Sequence, residues 1–399
     1  MTDLLTPPSL SRSDHWRTNA INPNEINRKL ATMWADIAVE RRYGARLARE
    51  VAEAASMRNQ TVNLIVLTDG AADHASIAQL VTHLPDITPS RIVLLASERG
   101  SEDSLEIGID LEERPNTPPH APTRIEVLSV RGRGQRLASV ADPLLVPELP
   151  DFVWCTTPDF ASDPVLVELA DRADRIVVDS AVSPDPSSAL NFLVALMDDG
   201  GTELRVSDMA WTRLSSWRQM VAQFFDISAH LDCLLGAEQV VIECARADEQ
   251  GRSGITCGLL AAGWLASSMG WRAPGEELVR SRDGWKLTLR AGQKGNSHEV
   301  TLLIRDIDKV TASPSLVAIT IMGGARSPGT FTVRRTGPET MTTISDTPAA
   351  GVAERTIYSA SRDEARLLGI ELRQFDHDPV FEQSLRFAAN LWPSGIRTT

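Results

Sequence analysis

The stretch "TVNLIVLT", Thr61 to Thr68, is a compact apolar run of strand length, rich in β-branched residues. Strands buried on both faces read as unbroken apolar runs of this kind, because neither side of the sheet meets water. The same grammar recurs in "SRIVLLAS" (Ser90 to Ser97), "TRIEVLSV" (Thr123 to Val130), "DFVWCTT" (Asp151 to Thr157) and "RIVVDSA" (Arg175 to Ala181). Helical patterns stand between some of them, "ADHASIAQLVTHLP" after the first and "DPVLVELADRA" before the last. Helical crossovers favour parallel pairing. The pattern predicts an α/β protein whose N-terminal part is a Rossmann-like open, mostly parallel sheet with helices on both faces.

Outward from that core, "NPNEINRKLATMWADIAVERRYGARLAREVAEA" reads as a helix capped by Asn22 or Asn24, with Ile26, Leu30, Met33, Trp34 and Ile37 at helical spacing. Residues 1–20, rich in Pro, Ser and Thr, are expected to be disordered. Residues 98–122 are polar and proline-rich, and read as a long loop or a partly extended edge. Near residue 230 the grammar changes. "EQVVIECA", "WKLTLRAG", "HEVTLLIRD", "LVAITIMG", "GTFTVRRTG", "TMTTISD" and "ERTIYSA" are strands, "SGITCGLLAAGWLASSMG" is a buried helix, and two helices close the chain. The expected domains are therefore 21–228, Rossmann-like, and 229–399, an α+β domain with a largely antiparallel sheet.

Composition narrows the function classes. The chain has 399 residues and is 42% hydrophobic, enough for about two domains with substantial cores. The net charge of −13 gives no global field for a phosphate backbone, so nucleic acid is not an expected partner. Cys155, Cys233, Cys244 and Cys257 lack CxxC spacing and sit among apolar neighbours, which predicts buried thiols and no metal site. No apolar tract is long enough to span a bilayer, and the start lacks signal-peptide character, so the expected location is cytoplasmic.

The search for chemistry is largely negative. The turn after "TVNLIVLT" has no GxGxxG. "SVRGRGQRLASV" supplies Gly132 and Gly134 only, flanked by Arg131 and Arg133, which could hold a phosphate but reads more simply as a polar turn. Asp179 and Ser180 end the fifth predicted strand, where α/β sheets place ligands; as a pair they suit either a binding crevice or the cap of the segment that follows. No nucleophile, base and orienter come together, and no cofactor is expected. "SDMAWTRLSSWRQMVAQFFD", Ser207 to Asp226, reads as one helix capped by Ser207 or Asp208. Leu214, Val221 and Phe224 should be buried along its stripe with the tryptophans, and Arg213 and Arg218 lie off it. Tryptophan and arginine are enriched at binding hot spots, so the segment reads as core or as interface.

Several segments in order, "TVNLIVLT", "ITPSRIVLLAS", "LASVADPLLVPELPDFVWCTTP", "LADRADRIVVDSA" and "VSDMAWTRLSSWRQMVAQFFD", resemble the OpcA family, the glucose-6-phosphate dehydrogenase assembly proteins. The resemblance implies a non-catalytic partner that binds this dehydrogenase and favours its active oligomer, acting on the oxidative pentose phosphate pathway. It makes Trp211, Arg213, Trp217 and Arg218 candidates for, or for packing beneath, the partner surface. The alternative from another class is an enzyme or sensor binding a nucleotide or sugar phosphate at Arg131 and Arg133 or at Asp179 and Ser180.

Overall fold

A computed structural model describes residues 10–19, 21–40, 62–70, 76–77, 80, 91–97, 105–114, 123–132, 134–199, 204–246, 253–273, 275, 277–292, 297–308, 315–359 and 363–396. The chain divides into two compact units, one formed essentially by residues 1–157 and 162–177, the other by 178–201 and 205–399 with 158–161.

The first unit holds a Rossmann-like sheet built from β1 (Leu10–Thr18), β2 (Asn63–Asp69), β3 (Arg91–Ser97), β4 (Leu105–Arg114), β5 (Thr123–Gly132), β6 (Asp151–Cys155) and β7 (Arg175–Val178). Their order is β1-β4-β5-β3-β2-β6-β7. The pairings β5–β3, β3–β2, β2–β6 and β6–β7 are parallel, whereas β4 runs antiparallel to both β1 and β5. The apolar runs that predicted the parallel strands are buried: Leu64 to Leu67, Ile92 to Ala96 and Phe152 to Cys155 are each at most 3% exposed. Its helices are α1 (Pro23–Glu40), α2 (Gly134–Ala141) and α3 (Pro164–Ala170). Asn22 caps α1, and Ile26, Leu30, Trp34 and Ile37 form its buried stripe, while Asp163 caps α3 through Val165 N–H at 2.9 Å. One charged pair lies in this core. Arg91 donates to Glu126 at 2.8 Å and to the Leu144 carbonyl at 2.9 Å, and Trp34 Nε1 donates to Glu126 at 2.9 Å, so every charge carries a partner.

One expectation needs correction here: residues 10–18 of the stretch expected to be disordered form β1. Of the long loop or partly extended edge read over 98–122, residues 105–114 are extended as β4, which lies between β1 and β5 and not at an edge. β4 buries Leu105, Ile107, Ile109 and Leu111 on alternate positions; its charged residues and proline-rich flank masked that alternation. β1 exists because β4 offers it a ladder, not because of its own polar sequence. The helix expected over 72–85 falls almost wholly outside the described residues, as does Arg133.

The second unit contains α4 (Pro186–Asp199), β8 (Arg205–Asp208), α5 (Met209–Arg213), α6 (Ser215–Phe224) and α7 (Ser228–Leu235). Then come β9 (Ala237–Ala245), α8 (Ile255–Met269), β10 (Val279–Ser281), β11 (Gly284–Ala291), β12 (His298–Ile307) and β13 (Leu316–Gly323). The chain continues through β14 (Thr330–Gly337), β15 (Thr340–Thr347), β16 (Gly351–Tyr358), α9 (Glu364–Glu371) and α10 (Pro379–Ala389). Its sheet runs β10-β11-β12-β9-β13-β14-β15-β16, antiparallel except where β12 meets β9. Every strand read from the sequence is present.

Two glycines let α8 pack closely. A Cβ at Gly258 would lie 2.6 Å from Cys244 Sγ of β9, and one at Gly263 would run into the Ser384 carbonyl of α10. The unit division differs from the expected boundary at 228/229. β8, α5 and α6 were expected to close the first domain, yet α5 packs on α8 and α9 of the second unit. Cys155, Cys233, Cys244 and Cys257 are all free and buried, as their apolar contexts predicted.

Candidate functional site

Within the second unit, the segments from Val178 to Val182 and from Ser207 to Arg213 meet in a buried polar cluster. The backbone at Asp179 turns out of its strand, and the carboxylate caps the single 3-10 turn Ser180–Val182 by accepting from Ala181 N–H at 3.2 Å. Asp208, at the end of β8, caps α5 in the same manner, accepting from Ala210 N–H at 2.9 Å. It also accepts from Ser180 N–H at 3.0 Å and from the Ser180 hydroxyl. One carboxylate thus ties two turn starts that lie 28 residues apart.

Arg213, the last residue of α5, returns its guanidinium to Asp179. Nη1 donates to Oδ1 at 2.7 Å and Nη2 donates to Oδ2, a bidentate fork with about nine-tenths of each side chain buried. Burial and the neighbouring Asp179 charge push the Asp208 carboxyl up to about 7, against which its bonds from Ser180 and Ala210 act. Burial works against the Arg213 charge, but Asp179 more than offsets it and holds the guanidinium protonated. Cys257 of α8 lies in the same electrostatic neighbourhood, and burial pushes its thiol up to about 12.

The segment from Ser207 to Asp226 is two helices, not one. Leu214 ends α5 and begins α6, and the Ser215 hydroxyl takes the Thr212 carbonyl at 2.8 Å, competing with the helical ladder. Trp211 is 5% and Trp217 2% exposed, so both belong to the core. Trp211 Nε1 donates to Asp378 at 2.8 Å, its ring lies 5.6 Å from Phe381, and the Arg218 guanidinium sits 3.5 Å above it. Thr212 bonds the buried Glu371. Residues from α9 and the cap of α10 therefore pin α5 from outside the reach of local sequence. Leu214 and Val221 are buried as the stripe predicted, whereas Phe224 is only half-buried and meets Phe331 at 5.4 Å. The C-terminal end of α6 lines an open groove with Phe224, Ile227, His230, Arg355 and Ile357.

The sequence-predicted residues thus fall into distinct groups. Asp179, Ser180 and Arg213 come together, with Asp208 as the member the sequence reading treated only as a cap. Its signal was faint: an aspartate at a strand end before a helix. Trp211 and Arg218 stack on one another, and Trp217 lies apart with Arg335 5.9 Å from its ring. Arg131, named for phosphate, instead pairs with Glu106 across the β4–β5 ladder at 3.3 Å. Chemically the cluster is closed: the Ser180 hydroxyl is spent on Asp208, the Asp179 carboxylate on Arg213, and Ser180 is 0% exposed. Among the described residues no set of three His, Cys, Asp or Glu side chains could hold a metal ion.

Two family models match this chain in sequence order. One describes the N-terminal domain of a glucose-6-phosphate dehydrogenase subunit and matches residues 81–195; the other describes the C-terminal domain of that subunit and matches residues 204–385. Both are domains of OpcA. The chain belongs to the OpcA family. Relatives named for the OxPP cycle agree. OpcA of Synechococcus elongatus is 28% identical over 150 residues, 37% of this chain and 32% of that protein. OpcA of Nostoc punctiforme is 24% identical over 265 residues, 65% of this chain and 54% of that protein. The chain spans about half the length, or less, of these OpcA relatives. Among solved structures, an oxidoreductase from Sinorhizobium meliloti aligns with a TM-score of 0.46 at 12% identity, covering 83% of this chain and 97% of that one. A glucose-6-phosphate 1-dehydrogenase from Mycobacterium avium gives 0.46 at 13% identity, covering 82% and 91%. Likeness at that level carries no functional weight.

Proposed function

We propose that this OpcA-family chain is a non-catalytic, cytoplasmic partner of glucose-6-phosphate dehydrogenase that binds the enzyme and favours its active assembly. The observation that carries the reading is the match of both OpcA domains, in order, across most of the chain. The closed cluster at Asp179, Ser180, Asp208 and Arg213 supports it, because these groups satisfy one another and offer nothing to a substrate. Physically, such a partner acts by binding one arrangement of the enzyme more tightly, and shifts the population by no more than that differential affinity. In this reading Trp211, Arg213 and Trp217 are positioning residues beneath the docking surface, and half-buried Arg218 reaches it.

The test is co-purification with the dehydrogenase, together with its activity in the presence and absence of this chain. Wild type should bind the enzyme and raise its activity. Arg218→Ala should stay folded by circular dichroism and bind less. An unchanged dehydrogenase that leaves the chain unbound overturns the function; normal binding by Arg218→Ala overturns only the surface assignment.

A further inference from the structure

The last strand of the second sheet ends in an open edge. Among the described residues β16 pairs with β15 alone, and every residue from Gly351 to Tyr358 except Ile357 is exposed. Val352 is 69% and Tyr358 68% exposed. Exposed edges are usually blunted by charged side chains, lysine above all, by proline or by a bulge, since their free backbone groups template pairing. "GVAERTIY" carries two adjacent charges of opposite sign, Glu354 and Arg355, but no lysine and no proline, and its register with β15 runs unbroken from Thr340↔Tyr358 to Thr347↔Gly351.

The direction of the free groups follows from the ladder. Ser359 N–H donates to the Glu339 carbonyl at 2.7 Å, one step beyond the Thr340↔Tyr358 pair. Hydrogen-bonded and non-bonded pairs alternate in an antiparallel ladder, so Ala353, Arg355 and Ile357 turn their backbone groups toward β15. The Thr343 hydroxyl reaches the Arg355 carbonyl at 3.3 Å, in accord with that direction. Val352, Glu354, Thr356 and Tyr358 therefore present their N–H and C=O groups to the free edge.

We infer that this edge takes a second copy of the chain, β16 against β16, antiparallel about a two-fold axis at Arg355. A two-fold axis perpendicular to the sheet keeps each side chain on its own face, so only registers centred on a residue are allowed. Centred at Arg355, the outward-facing backbones meet each other: Val352 opposite Tyr358 of the second copy, and Glu354 opposite Thr356. The same register sets Ala353 against Ile357 on the other face. Centring at Glu354 would oppose two carboxylates and leave Tyr358 beyond the strand; centring at Thr356 would set Glu354 against Tyr358 and strand Val352. Only the Arg355 register joins the two exposed apolar side chains. Its one unfavourable contact is Arg355 against itself, and like charges directly opposite cost stability.

The proposal stands apart from the dehydrogenase reading and is tested on the full chain alone by sedimentation equilibrium. The wild type should show twice the monomer mass. Thr356→Pro removes an N–H that points away from β15, which an edge strand tolerates, and should raise the dimer dissociation constant at least about tenfold while circular dichroism stays unchanged. Arg355→Thr, which removes the like-charge pair, should lower it. Arg355→Cys should form a covalent dimer on mild oxidation, because the four native cysteines are buried, and Glu354→Cys should not. A monomer at all concentrations overturns the proposal, as does a dimer indifferent to Thr356→Pro that fails to crosslink through Arg355→Cys. A monomeric chain whose Thr356→Pro variant loses the dehydrogenase also overturns it, and gives the edge to a strand of that enzyme.

Discussion

Asp208→Asn should make the protein more stable, and increasingly so as pH rises. The native carboxyl is buried beside Asp179 and is pushed from the ordinary 3.8 up to about 7. Its folded value therefore lies above its unfolded one, so between the two the native state holds the proton more tightly. Stability from this group is fully present below about pH 4 and is lost as pH rises through about 7. At about 1.4 kcal/mol per pH unit, the whole displacement amounts to roughly 4 kcal/mol, and roughly half of it falls between about pH 5 and about pH 7. The amide keeps an oxygen for Ser180 N–H and Ala210 N–H and gains a donor toward the Ser180 hydroxyl, yet it never carries a charge. Urea unfolding of both proteins at a series of pH values reads the difference directly, and it cancels other titrating groups such as Asp151 and Asp306. Near pH 4 the two should be close; near pH 8 the variant should lead by up to roughly 4 kcal/mol. A difference that stays flat, or that grows in favour of the wild type as pH rises, refutes the assignment of a buried, charge-penalised carboxylate.

Two further substitutions probe the same unit. Arg213→Met leaves Asp179 buried without its fork and should cost roughly 3–5 kcal/mol, most of which Asp179→Asn in the same chain should restore; a double variant as unstable as the summed singles would show that the pair is not coupled. Gly258→Ala pushes a methyl against Cys244 Sγ and should cost roughly 1–3 kcal/mol in thermal or urea unfolding, with Cys244→Ala relieving the clash; strict additivity of the two would refute the contact.

The sequence by itself determined the layers. "TVNLIVLT", "SRIVLLAS" and "DFVWCTT" could be read as strands because burial on both faces leaves an unbroken apolar record, and the turn-separated alternations after residue 230 did the same for the antiparallel sheet. Recurring segments in order also carried the family. What the sequence left hidden has one physical cause: the deciding partner is far away in the chain. β1 is a polar stretch made into a strand by β4, and the break at Leu214, where the Ser215 hydroxyl takes the Thr212 carbonyl, leaves no mark on the apolar stripe. Arg213 looked like a charge at a helix flank until Asp179, 34 residues earlier, took it inward; Trp211 could be read as core or as interface, and no local pattern named Asp378, 167 residues later, as the acceptor of its N–H. Periodicity records how much of a side chain is buried. Which charge or donor meets it there is settled only when the second unit closes.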